Sequence, residues 1–258
     1  MAAPDPLRID FPGLERPDPD RRPAPDEVGR SGKKGFRPFR WLWRLVGFLA
    51  LAGLALALPF LILVRISVFL FHRYDFGSWT ALGLAALAAA LLLVLYLVVA
   101  SVRLGGKGRV PGFLWKGVLM VVAAYCCYAL LFLSRANVKT GEVRATFTSL
   151  NPMLRVGVST LLLVDRDAVL TDAARTAEDY SAWGLEVNEA SLHLLQPDGF
   201  SYAVDLRTLG RPEWRNGLVE VYFQLMGFRT LRHAGTADHL HVSLAPNNRV
   251  RALMEESR

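Results

Sequence analysis

Asp238-His239-Leu240-His241 sets two imidazoles two residues apart, with a carboxylate three positions before the second. Side chains repeat every two residues along a strand, so His239 and His241 share a face there. Upstream stand Ser191-Leu192-His193 and Ala203-Val204-Asp205. Two imidazoles and a carboxylate make up the donor set of a catalytic zinc ion, which takes three protein ligands and leaves a fourth position for water. Zinc brings the pKa of that water toward about 7, and a nearby carboxylate or imidazole accepts the proton. One histidine of the pair can bind metal while the other stays near the water. Asp238 reaches the same water if a small bulge or loop turns it inward. Taken singly, a His-x-His pair is more often a polar strand face, and His193 a satisfied buried histidine. The combination is what suggests a site.

Gln196-Pro197-Asp198-Gly199 is a strong turn signal between two β-rich runs over residues 192–206. A Pro-Asp-Gly turn closed by a glycine bulge predicts a hairpin with Gln196 opposite Phe200 and His193 opposite Ala203. His193 and Asp205 then become diagonal neighbours on one face, roughly 7–8 Å apart at the backbone. A shift of one residue would separate them.

The elements around these residues read as a mixed domain from Ser134 onward. Val156 to Val164 predicts a core helix, Val169-Leu170-Thr171 a short strand, and Ala177 to Trp183 a helical turn or two opened by Thr176. Pro212 opens a longer helix that Gly227 stops, with Trp214, Leu218, Val221, Tyr222 and Leu225 on one face. Trp214 and Tyr222 are expected in the core, and His233 in solvent. Strands are expected at Thr230 to Arg232 and Leu240 to Leu244. The fold class is α+β, a small antiparallel-sheet domain over residues 134–258.

Before it, apolar residues crowd between about residues 41 and 133. Leu45 to Val64 runs twenty residues without a charge, enough to cross a bilayer core. Two further spans are expected at residues 79–102 and 113–133, giving an all-α membrane region of three transmembrane helices. Residues 65–78, with His72, are expected at the membrane interface. Residues 1–40, polar and Pro-rich, are expected to form a disordered cytoplasmic leader without a cleavable signal. Cys126 and Cys127 are adjacent within an apolar run, so neither a disulfide nor a CxxC metal site is expected.

The net charge of +7 suits either nucleic acid or an anionic membrane surface. Basic residues beside apolar runs favour the membrane, and no nucleic-acid partner is expected. Arg30, Lys33, Lys34, Arg37, Arg40 and Arg44 precede the first span, and Arg103, Lys107 and Arg109 follow the second. Both groups belong on the cytoplasmic side. The N-terminus is therefore expected in the cytoplasm, and the C-terminal domain outside a bacterial cytoplasmic membrane. With no ionisable residue near mid-span, the membrane region reads as an anchor rather than a pathway.

Ser191-x-His193, Ala203-x-Asp205 and Asp238-x-x-His241 together resemble the signature of the LAS-type zinc peptidases, which include D-alanyl-D-alanine carboxypeptidases and murein endopeptidases. Asp172 to Asp179 is similar to the family's arginine-bearing segment. The resemblance covers about residues 150 to 245. It implies that His193, Asp205 and His241 bind Zn2+, that Asp238 or His239 is the catalytic base, and that Arg175 holds a substrate carboxylate or polarises the scissile carbonyl. Eleven residues separate His193 from Asp205, more than the family usually places there, and Leu240 stands where an aromatic often precedes the last histidine. The function implied is that of a membrane-anchored zinc peptidase hydrolysing peptidoglycan stem peptides. The alternative is an inactive domain of this type that binds peptidoglycan or a protein partner.

Overall fold

The computed structural model describes residues 38–235 and 238–256, with side chains from residue 41. The chain divides into two compact units, residues 1–48 and 49–258, and all of the chemistry considered below lies in the second. In chain order the helices are α1 (Pro38–Tyr74), α2 (Ser78–Arg103), α3 (Gly112–Leu131), α4 (Gly141–Ala145), α5 (Pro152–Val164), α6 (Ala177–Ala182), α7 (Glu213–Met226) and α8 (Asn248–Glu256). The strands are β1 (Leu170–Asp172), β2 (Ala203–Arg207), β3 (Arg229–His233) and β4 (His239–Ser243). The α+β class expected from sequence is the one observed. Helix α1 begins inside the segment expected as leader, and the rest of that segment lies outside the described residues.

Helices α1, α2 and α3 are long and apolar enough to cross a membrane, which fits a multi-pass membrane protein. Their apolar side chains point outward, among them Leu56, Leu87, Leu95 and Met120. An exposed apolar belt of that extent marks a contact surface, and the length and composition of these helices suit a membrane. On α2, Ala81, Ala85 and Ala89 are buried, and such small residues let neighbouring backbones approach.

The first expected span ends at Val64, with an interface segment after it. Instead α1 continues without a break to Tyr74. No glycine or proline interrupts Arg65 to Tyr74. Val68 and Phe71 from these last turns are buried in the same core as Phe147, Tyr202 and Val204. The end of α1 thus belongs to the folded domain. Asn247 holds it there by donating to the Phe71 and Phe76 carbonyls at 3.0 and 3.1 Å. His72, expected at the membrane interface, donates from Nε2 to the Ala245 carbonyl at 2.7 Å.

Helix α5 joins the two regions. Asn151 caps it by accepting from the Met153 N–H and donates to Ser78 Oγ at the start of α2. The last carbonyls of a helix lack intrahelical partners, and α5 supplies them for α3. Arg155 Nη1 donates to the Leu130 carbonyl at 2.9 Å and Ser159 Oγ to that of Ala129 at 3.0 Å. The buried Arg155 charge also suits the negative end of α3.

The four strands form one antiparallel sheet in the order β1-β2-β4-β3. Val204 and Leu206 of β2 and Leu240 and Val242 of β4 point into the core with Met153 and Val156 of α5 and Phe223 of α7. Alternation turns Asp205, His239 and His241 to the opposite face. Gly227 ends α7 in the left-handed region at φ 97°. A Cβ there would come within 2.9 Å of Val68 Cγ1 and 2.5 Å of Arg65 Nη1. Gly227→Ala is expected to destabilise the domain by about 1–2 kcal/mol from the left-handed backbone alone, with the crowding added. Thermal unfolding beside the parent chain checks this.

Candidate metal centre

β2 and β4 pair with Asp205 directly opposite His241 and Arg207 opposite His239. A non-local strand pairing therefore sets one carboxylate against one imidazole before any loop is placed. Asp205 Oδ1 lies 2.9 Å from His241 Nδ1. His193 completes the group, with Nε2 3.3 Å from Asp205 Oδ1 and 3.3 Å from His241 Nδ1.

His193 arrives by a different route from the one its sequence suggests. The expected hairpin is absent, because Ser191 to Leu194 folds into a turn closed by the Leu194 N–H donating to the Ser191 carbonyl. The Pro-Asp-Gly turn itself forms, with Gly199 at φ 82° and the Gln196 N–H donating to the Phe200 carbonyl. Further back, the Tyr202 N–H donates to the Leu192 carbonyl, where a regular hairpin would pair Tyr202 with Leu194. The extra turn takes up the difference and swings His193 over the open face of β2 and β4.

His193 is buried, and its Nδ1 lies 2.7 Å from the Ala173 carbonyl. A carbonyl only accepts, so Nδ1 carries the proton and the Nε2 lone pair of the neutral ring points at the cluster. Metal-binding histidines are commonly oriented by such a bond. The donor atoms of His193, Asp205 and His241 all lie within 4.8 Å of one another. Four-coordinate zinc, with bonds of about 2.0–2.1 Å, holds its ligand atoms about 3.3–3.4 Å apart. The observed 2.9 to 3.3 Å falls slightly inside that spacing, and the three residues fit the ion.

His239 shares the face of His241, with Nε2 3.6 Å from Asp205 Oδ2. His233, on β3 opposite His239, stacks on that ring at 4.7 Å between centroids. It is solvent-exposed, as its sequence position suggests. Sequence reading assigns no role to this stacking partner, because the β3–β4 register that sets it opposite His239 is not a local pattern.

Asp238 goes elsewhere. It continues the alternation of β4 without a bulge and turns to the face opposite the two histidines. There it accepts from Arg232 Nε at 2.7 Å, Arg232 Nη2 at 2.8 Å and Thr208 Oγ1 at 2.8 Å. These bonds, with that from Arg232 the strongest influence, hold its pKa down at about 2. Arg175 is tied to the site through its backbone, which donates to the His193 carbonyl at 2.8 Å. Its guanidinium pairs with Asp172 and lies over the Trp183 ring at 5.6 Å. Thr140, Asp172, Arg175 and Trp183 line an open cleft of 480 Å³.

Burial works against charge on both His193 and Asp205, yet their contact outweighs it. The His193 pKa is raised, and that of Asp205 is pushed far down by the His193 and His241 bonds. In the metal-free chain this pairing is fully stabilising from above the ordinary Asp range near about 4 up to the ordinary His range near about 6.5. It is lost as pH rises through the raised His193 pKa, or falls through the depressed Asp205 pKa. Metal competes for the same His193 lone pair. The stabilisation brought by zinc should therefore grow between pH 6 and 8, by up to about 1.4 kcal/mol per pH unit for each proton displaced. Melting temperatures with zinc and with chelator at the two pH values test the sign.

Compared with models of protein families, with characterised proteins and with solved structures, the chain matches none.

Proposed function

We propose that the protein is a membrane-anchored zinc peptidase that hydrolyses peptidoglycan stem peptides outside a bacterial cytoplasmic membrane, with its N-terminus in the cytoplasm. The observation that carries the reading is the convergence of His193, Asp205 and His241 from a loop and two strands onto one point. The substrate class and the side of the membrane rest on the motif resemblance and on the placement of basic residues.

Bound zinc supplies a Lewis acid and a water acidified toward about pKa 7. The residues do the rest. His193, fixed by the Ala173 carbonyl, and His241, fixed by its strand, present lone pairs from two directions. Asp205 contributes the negative charge of the donor set. His239 is the general base: its imidazole accepts a proton and holds it with Nε2 beside Asp205 Oδ2. Arg175, permanently charged, meets a substrate carboxylate in the cleft that it lines. Asp238, bound to Arg232 and Thr208, braces the approach to β4.

The test uses the full chain purified in detergent. Expected are close to one zinc per chain and release of a new amino terminus from muropeptides. A metal-replete chain that binds muropeptides and cleaves none of them would replace this reading with that of a binding domain. A chain that takes up no zinc would end both the metal and the peptidase assignments.

A further inference from the structure

Helix α7 presents two apolar faces. Val219, Phe223 and Met226 are buried in the core. Trp214, Leu218, Val221 and Leu225 fall within about 60° of one another at 100° per residue and point away from it. Sequence reading expects Trp214 of this stripe in the core, but Trp214 is 67% exposed, Leu218 60% and Leu225 65%. The end of α5 extends the patch with Val164, 83% exposed. Between the two helices runs an open groove of 460 Å³ lined by Leu161, Val164, Trp214, Leu218 and Tyr222.

We infer that this α5–α7 face is immersed in the acyl boundary of the same bilayer that α1 to α3 cross. Continuity with the spans identifies the occupant. The Tyr125 hydroxyl of α3 lies 2.7 Å from that of Thr160 on α5. Tyr125 is six residues short of the end of α3, about 9 Å along the helix. The second half of α5 therefore runs beside the upper part of a span. Tyr222 ties α7 to α5 by donating to the Gly157 carbonyl at 2.8 Å. At the other end Gly227 sits against Arg65 and Val68, where the uncharged run of α1 ends.

The polar residues around the stripe agree with that depth. Arg65 and Arg229, both exposed, stand beside its C-terminal end, where cations meet lipid phosphates. The acidic groups at its other end are neutralised: Asp165 accepts from Arg211 and Arg215, and Arg215 also reaches Asp167 at 3.1 Å. On its flank Glu213 pairs with Arg232, and Glu220 accepts from Gln224 and Thr230. The open sheet face bearing Asp205 and His241 lies on the side away from α5 and α7. Immersion of those helices turns it from the bilayer toward water.

The inference is independent of any reaction and is tested on the full chain in liposomes of phosphatidylcholine and phosphatidylglycerol. Cys126 and Cys127 are replaced by serine, and a nitroxide is attached at Leu218→Cys, Leu225→Cys or, as a reference, the exposed loop position Glu186→Cys. Collisions with oxygen, which concentrates in lipid, are compared with collisions with a water-soluble nickel chelate. Positions 218 and 225 should show an oxygen-to-nickel ratio several-fold above that at 186. Ratios matching position 186 would mean a bare aqueous surface. Protection from both colliders, with or without spin–spin broadening between copies, would mean protein cover. Either result overturns the inference.

Discussion

His241→Ala is expected to leave the chain folded and without its metal. Only one side of the β4 ladder depends on this residue for chemistry. Leu240 and Val242, pointing the other way, are buried in the core, and the pairings to β2 and β3 are made by backbone. His241 itself is partly exposed, so its truncation opens no large internal void. What is lost is one of three donors. Structural zinc sites gather about 10–16 kcal/mol in total, so one ligand carries about 3–5 kcal/mol, or roughly a 10²–10⁴-fold fall in affinity. Zinc content measured after dialysis should drop from near one per chain toward zero, and peptide hydrolysis with it. His233→Ala is the matched control, because that ring stacks on His239 without joining the cluster. Full metal retention by His241→Ala would exclude this centre. His193→Ala should lose metal too, with a lower melting temperature, since it also leaves the Ala173 carbonyl without the bond it receives.

The readability of these residues from sequence followed the range of the forces that place them. Alternation along one strand is local, so the shared face of His239 and His241 was legible. So were Thr176 at the opening of α6 and the glycine that ends α7. The pairing of Asp205 with His241 joins strands far apart in the chain, and no local pattern specifies it. Sequence reading groups His193 with Asp205 and His241 through a hairpin that does not form, and the three side chains meet by another route. The turn at Ser191 to Leu194 depends on backbone partners in Arg175 and Ala173, which local spacing does not reveal. The α7 stripe failed differently. An apolar periodicity says that a face avoids water, and a second face of the same helix already fills the core. The three long spans were legible to within a few residues because length and the absence of charge suffice there. The end of α1 was not, since its polar and aromatic residues serve a domain folded from the other half of the chain.

The largest separation between two neighbouring residues is expected at Asp238 and His239. Asp238→Asn should retain zinc and hydrolysis close to those of the parent chain, because its carboxylate points to the opposite face and is spent on Arg232 and Thr208. Its effect should appear in stability. The depressed Asp238 pKa contributes above the ordinary Asp range near about 4 and is lost as pH falls through about 2. The parent should therefore melt higher than Asp238→Asn at neutral pH, with the gap closing in acid. His239→Ala should do the reverse. It keeps the three donors, so zinc content holds, while loss of a general base lowers turnover by about 10²–10⁴-fold. KM should change little if the ring acts on the proton rather than on binding. A fall in turnover of that size in Asp238→Asn, with His239→Ala unimpaired, would assign the base to the carboxylate. That would require the start of β4 to twist in the complex until Asp238 leaves Arg232. The two variants thus decide whether the strand register seen in the free chain is the one in which the reaction occurs.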